Sequence, residues 1–259
     1  MDRKEDFVSR RERLRERRRK LKEAHEAALV ILETEDQVVE PPQINGKLRS
    51  FALRVPPQIK KCSGIVVFGR RIRSLVFTTD LATIRNVDAD AVLAVYPYTP
   101  QQIITEALIH SADIPIFAGV GGGLTQGKRV VNLATFAEMQ GASGVVVNSP
   151  TKNDVIHELA DTIDIPIIVT AFSAEGIRER MENGAAIINV AAGAQTPEVV
   201  AEIRRQFPEL PIIATGGPTD ESLERTISAG ANAIVWTPPT PGEVFKEIMT
   251  AYRNGEAHP

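Results

Sequence analysis

A glycine-rich segment at 119–129, with the sequence GVGGGLTQGKR, is the part of the chain that most directly suggests chemistry. Gly122, Gly127 and Lys128 match most of the phosphate-loop pattern G-x-x-x-x-G-K-[ST], in which backbone N–H groups hold phosphates. The last position is Arg129, so the hydroxyl that would bind Mg²⁺ is missing. The segment therefore predicts a glycine-rich loop that closes over an anion, and not the phosphate loop of a nucleoside triphosphatase.

Short apolar runs of two kinds alternate along the rest of the chain. One kind carries a proline, as in DIPIFAGV (113–120), and the other begins with Gly-Ala, as in GASGVVVN (141–148). Continuous apolar runs of this length are typical of strands that are buried on both faces of a parallel sheet. The predicted strands are 74–79, 91–96, 115–119, 144–148, 166–170, 186–190, 211–215 and 233–237.

Helix signals separate these strands. Thr99-Pro100 and Thr240-Pro241 each combine an N-cap residue with a proline at the first helical position, and Thr219 is a further N-cap candidate. Eight regularly spaced strand–helix units predict a (β/α)₈ TIM barrel over residues 64–259. An open doubly wound sheet is the alternative.

Residues 1–63 form an N-terminal extension outside the barrel pattern. Residues 3–33 lack Gly and Pro and predict a long helix, with a basic run at 9–20. Glutamates interleave with this run and no aromatic residues follow it, so we favour a helix that packs on its own barrel or on a second copy over one that binds nucleic acid. The segment 65–77 predicts a strand, a tight turn and then the first barrel strand as the second arm, and the first arm is expected to plug the amino-terminal mouth of the barrel.

Composition narrows the class of protein further. The chain has 259 residues, of which 43% are hydrophobic, and a net charge of −3, which gives it no general affinity for polyanions. The single cysteine is compatible with a reducing compartment. No signal peptide and no membrane-spanning run is recognisable. We expect a cytoplasmic protein that binds neither membranes nor nucleic acid.

In TIM barrels the active site lies at the carboxyl ends of the strands. The predicted catalytic residues there are Asp80 as general base, Lys128 as an electrostatic or acid partner, and Asn148 to orient oxygens. Asp80 has a second interpretation, as the N-cap of the following helix. The predicted substrate-binding residues are Tyr96, Gly121, Gly122, Gly123, Thr170 and Asn189, and the predicted phosphate-binding residues are Thr215, Gly216, Gly217 and Thr237.

Several reaction types require residues that this rim lacks. No predicted strand contains the lysine of a Schiff-base aldolase, and Asp80 is the only carboxylate at a strand end, where a glycosidase needs two. The four histidines fall in predicted helices or at the tail, and the serine-hydrolase pattern G-x-S-x-G is absent. The sequence therefore predicts no metal and no cofactor.

The segment 211–237, PIIATGGPTDESLERTISAGANAIVWT, resembles the ribulose-phosphate-binding superfamily of barrels. That resemblance implies that Gly216 and Gly217 grip a phosphate after the seventh strand. The second phosphate loop of that superfamily differs here, because TPPT (237–240) carries Pro238 and Pro239, which have no N–H to donate. The chain also looks like a family of bacterial barrels that carries a generic hydrolase label.

Together these features predict an enzyme that acts on a small anionic metabolite, phosphorylated or not, by acid–base chemistry of the lyase or isomerase type. A hydrolase, as the family label implies, and a non-catalytic metabolite sensor or scaffold are the alternatives. The long N-terminal helix offers a surface through which copies could associate into a homo-oligomer.

Overall fold

Eight parallel strands close into a barrel in the computed structural model, which describes Ile44 and residues 53–217 and 219–257. Each strand pairs with its neighbours in chain order, and the last strand pairs with the first. The strands are β1 (Ser74–Phe77), β2 (Ala91–Ala94), β3 (Ile116–Gly121), β4 (Gly144–Val147), β5 (Ile167–Ala171), β6 (Ile187–Val190), β7 (Ile212–Thr215) and β8 (Ala233–Trp236). The predicted TIM barrel is confirmed. The predicted N-terminal helix at 3–33 lies outside the described residues.

A helix follows every strand. The helices are α1 (Leu81–Arg85), α2 (Gln102–Ser111), α3 (Lys128–Met139), α4 (Asn153–Thr162), α5 (Ile177–Glu182), α6 (Thr196–Gln206), α7 (Asp220–Ser228) and α8 (Pro241–Arg253). Thr219 and Thr240 cap α7 and α8 as predicted, each within a reciprocal capping box. The predicted helix start at Thr99-Pro100 is wrong, because α2 begins only at Gln102.

The continuous apolar runs are explained by burial on both faces of the strands. Alternate side chains point outward against the helices, and the others fill the barrel. The inward side chains that form the inner core include Leu75, Leu93, Phe117, Val146, Ile168, Ile187, Ile213 and Val235.

A separate hairpin precedes β1 and closes the amino-terminal end of the barrel. Its arms are Ile65–Val67 and Arg70–Ile72, joined by a tight turn at Phe68 and Gly69. Val67 and Ile72 pack into the inner core of the barrel, so the hairpin acts as the predicted plug. The second arm, Arg70–Ile72, is a separate strand from β1. The prediction that β1 forms the second arm of the hairpin is therefore wrong.

The described helices include none that is long and apolar enough to span a bilayer. The longest of them, α8, has 13 residues and carries charged side chains along its length.

Arg204 on α6 joins several loops at the amino-terminal end of the barrel. Its guanidinium donates hydrogen bonds to the carbonyl oxygens of Pro208 (2.6 Å), Leu210 (2.8 Å) and Gly230 (2.8 Å). It also donates to Oδ1 of Asn232 at 2.7 Å. Burial lowers the pKa of Arg204, and Glu209 partly opposes that effect. The guanidinium nevertheless stays charged at neutral pH, because arginine does not lose its proton in proteins.

We predict that Arg204→Ala lowers the free energy of unfolding by about 2–3 kcal/mol, because it leaves several carbonyl oxygens without their donor. Arg205→Ala is the matched control, since Arg205 is exposed on the same helix. Urea denaturation of both variants measures the difference. Equal stabilities of the two variants would contradict the structural role of Arg204.

Candidate functional site

A cavity of about 340 Å³ opens at the carboxyl ends of β2, β3 and β4. We call it the mouth cavity. Its walls are formed by the loop after β2, the glycine-rich loop after β3 and the last residues of β4. The lining residues are Val95, Tyr96, Pro97, Tyr98, Thr99, Pro100, Gly119, Gly121, Gly123, Leu124, Thr125, Val146 and Asn148. The predicted site residues Tyr96, Gly121, Gly123 and Asn148 therefore lie together.

The lining of the mouth cavity is largely apolar, with a few uncharged polar groups. None of the described lining residues carries a formal charge, and the polar groups are phenols, threonine hydroxyls and the Asn148 amide. Tyr96 is fixed by its phenol oxygen, which accepts a hydrogen bond from the Gln101 N–H at 2.8 Å. α2 begins directly after this contact, and the residues between Tyr96 and Gln101 line the cavity.

The glycine-rich loop is held in a tight turn against the loop after β4. The Gly122 N–H donates to the Thr125 carbonyl oxygen at 2.8 Å, and the Asn148 N–H donates to the Gly121 carbonyl oxygen at 3.0 Å. Gly122 is buried with a φ of +101°. A Cβ there would lie 2.7 Å from the Asn148 nitrogen and would also strike the Thr151 hydroxyl. Only glycine allows this contact.

Arg180 on α5 fixes the loop between β4 and α4. Its guanidinium donates to the Ser149 carbonyl oxygen at 2.8 Å and to the Thr151 carbonyl oxygen. Burial lowers the pKa of Arg180, which remains a cation because arginine holds its proton in proteins. Reasoning from the sequence missed this residue, since nothing in a helix sequence shows that an arginine bonds to carbonyl groups of another loop.

Asn148, Thr170 and Asn189 extend the polar surface across β4, β5 and β6. They follow the inward-facing Val146, Ile168 and Ile187 by two residues, so they share the inner face. Thr170 and Asn189 are direct partners in the strand register.

Asn189 is under-satisfied in its hydrogen bonding. It is only 4% exposed, and its Nδ2 donates a long hydrogen bond of 3.4 Å to the Thr170 hydroxyl. Its Oδ1 has no hydrogen-bond partner among the described residues. Buried polar atoms normally have partners, so an unpaired amide oxygen near the carboxyl end of a barrel strand marks a candidate functional position.

The glycine pair after β7 is explained largely by packing. The Gly216 N–H donates to the Val235 carbonyl oxygen at 3.1 Å. Side chains at Gly216 and Gly217 would strike Leu223 and Ser222 of α7. Thr215 is half-buried and Thr237 is exposed at the same end of the barrel. Phosphate binding by these four residues stays a prediction. The Gly216 N–H is not free to donate to a phosphate, because it already bonds to Val235.

Asp80 and Lys128 lie at the carboxyl-terminal end of the barrel but do not line the mouth cavity. Asp80 caps α1, with Oδ1 accepting from the Thr83 N–H at 2.7 Å, so its cap interpretation holds. Lys128 is exposed as the first residue of α3. Their catalytic roles remain predictions. Over the described ranges, no three His, Cys, Asp or Glu side chains are grouped so that they could hold a metal ion.

Solved structures with a similar fold include enzymes of several kinds. One is the 4-hydroxy-tetrahydrodipicolinate synthase of Methylacidiphilum fumariolicum SolV, with a TM-score of 0.52 and 17% identity over 71% of this chain and 74% of the synthase. Another is a putative phosphonomutase of Burkholderia cenocepacia J2315, with a TM-score of 0.55 and 14% identity over 70% and 93% of the two chains.

The phosphoenolpyruvate phosphomutase of Streptomyces platensis subsp. rosaceus is also similar, with a TM-score of 0.55 and 13% identity over 71% and 83% of the two chains. Identities this low show a shared fold alone. No protein-family model and no curated protein matches the chain. The comparisons thus support a TIM barrel without selecting the ribulose-phosphate-binding superfamily.

We predict that Gly122→Ala lowers the free energy of unfolding by about 2–4 kcal/mol, because Ala strains the positive φ and collides with the loop after β4. Gly123→Ala is the control, because a Cβ at Gly123 meets no atom within 4 Å. Chemical denaturation of both variants gives the comparison. A Gly122→Ala variant as stable as Gly123→Ala would show that the loop does not take this conformation.

Proposed function

We propose that the chain is an enzyme that acts on a small anionic metabolite bound in the mouth cavity. The observation that carries the proposal is the polar row of Asn148, Thr170 and Asn189, which begins in the cavity lining and continues across β5 and β6. Within this row the Asn189 Oδ1 has no hydrogen-bond partner among the described residues. A cavity of about 340 Å³ suits a small metabolite. The carboxyl end of the barrel strands is also where TIM-barrel enzymes place their chemistry.

Neutral donors are suited to an anionic ligand. Amide N–H and hydroxyl groups can donate to carboxylate or phosphate oxygens, and hydrogen bonds to charged groups are stronger than neutral ones. Two proteins of the same fold, the phosphonomutase and the phosphoenolpyruvate phosphomutase, are named for small phosphorus-containing acids. The resemblance of 211–237 to ribulose-phosphate-binding barrels points to the same class of ligand.

The proposed chemistry is proton transfer of a lyase or isomerase type. Asp80 would be the general base, since it follows β1 and β1 is the barrel neighbour of β2. Its capping bond uses Oδ1, so Oδ2 would be the oxygen that accepts a proton from the substrate. Lys128 would approach the ligand through movement of the glycine-rich loop that precedes it. Thr215, Gly217 and Thr237 would hold the phosphate of a phosphorylated substrate, and Gly216, whose N–H is engaged by Val235, would contribute by letting the backbone approach closely.

A non-catalytic metabolite sensor is the second candidate. The absence of a charged side chain among the described lining residues favours it, because proton transfer needs a titratable group close to the ligand. Binding and turnover therefore have to be measured in separate experiments, because a sensor would bind the metabolite without converting it.

We predict that phosphoenolpyruvate or ribulose 5-phosphate raises the melting temperature of the wild-type protein, and that Asn148→Ala weakens this binding roughly tenfold, since a donor to the anion is lost. Asn183→Ala is the control, because Asn183 ends α5 and donates to the Glu179 carbonyl oxygen. Thermal-shift titrations provide the affinities. Equal affinity of Asn148→Ala and wild type, or no response to either probe, would contradict the proposed binding site.

For turnover, we predict that Asp80→Asn reduces the rate by about 100-fold or more without lowering the melting temperature, because Asn is as good an N-cap as Asp but is not a base. Asp80→Ala should lose both activity and stability. Phosphorus NMR follows the consumption of the probe. Unchanged turnover in Asp80→Asn would exclude Asp80 as the base, and a wild type that binds a probe without consuming it would favour the sensor.

A further inference from the structure

A second cavity of about 310 Å³ lies next to the glycine-rich loop, at the start of α4. We call it the α4 cavity. Its lining residues are Gly122, Gln126, Gly127, Val130, Thr151, Lys152, Asp154 and Val155. It shares no lining residue with the mouth cavity, although both are bounded by the loop 121–127.

Two helices begin at the α4 cavity. α3 has 12 residues and starts directly after Gly127, and α4 has 10 residues and starts directly after Lys152. Neither N-cap residue makes a side-chain capping bond. Helix N-termini without such acceptors keep N–H groups and a partial positive charge that favour an anion.

Thr151 supplies an independent indication of a ligand. This residue is 3% exposed, and its hydroxyl oxygen has no hydrogen-bond partner among the described residues. Its backbone is fully used, because its N–H donates to the Asn148 carbonyl oxygen at 3.0 Å and its carbonyl oxygen accepts from Arg180. The hydroxyl points towards Gly122, which also lines the α4 cavity. A buried hydroxyl without a partner is costly, and an anion in the cavity would give it an acceptor.

The charges around the α4 cavity are mainly positive. Lys152 lines it with an exposed side chain, and Lys128 and Arg129 begin α3 next to Gly127. Asp154 is the opposing charge, and its Oδ1 accepts a hydrogen bond from the Val155 N–H at 2.8 Å. One oxygen of this carboxylate is therefore engaged by the first turn of its own helix, and the three basic residues leave an excess of positive charge around the cavity.

We propose that the α4 cavity is a binding site for a small oxyanion such as phosphate, which accepts hydrogen bonds from the Thr151 hydroxyl and pairs with Lys152. The site is separate from the mouth cavity and does not depend on the proposed enzymatic function. Because Gly122 and Gly127 form part of its wall, a bound anion would tie the glycine-rich loop to the start of α4 and so steady the wall of the mouth cavity.

The proposal is tested with inorganic phosphate in isothermal titration calorimetry, with ionic strength held constant by sodium chloride. We expect saturable binding to the full-length protein, weakened roughly five- to tenfold by Thr151→Val and by Lys152→Gln. Thr151→Val should fold normally, because it replaces an unpaired hydroxyl by a methyl group of similar size. Thr226→Val and Lys246→Gln are the controls, since Thr226 is a buried threonine whose hydroxyl donates to Ser222 and Lys246 is exposed on α8.

The variants distinguish the two cavities. Loss of phosphate affinity in Thr151→Val but not in Asn148→Ala supports the α4 cavity. Loss in Asn148→Ala alone would put phosphate in the mouth cavity, which overturns this proposal and leaves the proposed function standing. Wild-type affinity in Thr151→Val, or no saturable binding by the wild type, would also overturn it.

Discussion

The register between parallel strands in a closed barrel is the constraint on which the candidate site depends. Asn148, Thr170 and Asn189 are far apart in the chain, and they share the inner face because Val146 pairs with Ile168 and Thr170 pairs with Asn189. A slip of one residue in a strand would turn these side chains outward onto the helices. The inner apolar core fixes the register, so the stability of the barrel and the position of the polar row have the same origin.

The loops after β3 and β4 form walls of both cavities at the carboxyl-terminal end of the barrel. The glycine-rich loop presses Gly122 against the loop after β4, and Arg180 holds that second loop from the side of α5. Gly122 and Arg180 thus act on the same loop after β4. Gly122 allows close approach because it has no side chain, and the planar guanidinium of Arg180 binds two carbonyl oxygens of that loop. The mouth cavity and the α4 cavity are consequences of this contact, and a change in one loop is expected to alter both.

The sequence was sufficient to predict the barrel because strands buried on both faces produce continuous apolar runs, and helix caps at Thr219 and Thr240 are local patterns. It failed at Thr99-Pro100, where the Gln101 N–H bonds to the Tyr96 phenol and α2 begins only at Gln102. It could not reveal Arg180, whose partners belong to another loop. For Gly216, a sequence pattern cannot show that the N–H is already used by a neighbouring strand.

Hydrogen–deuterium exchange with and without phosphoenolpyruvate tests the central claim, that a small anionic ligand binds at the carboxyl-terminal end of the barrel. We expect slower exchange in peptides that cover 95–101, 119–127 and 144–151, with no change in the hairpin at 65–72. Protection confined to that hairpin and the amino-terminal end of the barrel would contradict ligand binding at the carboxyl-terminal end.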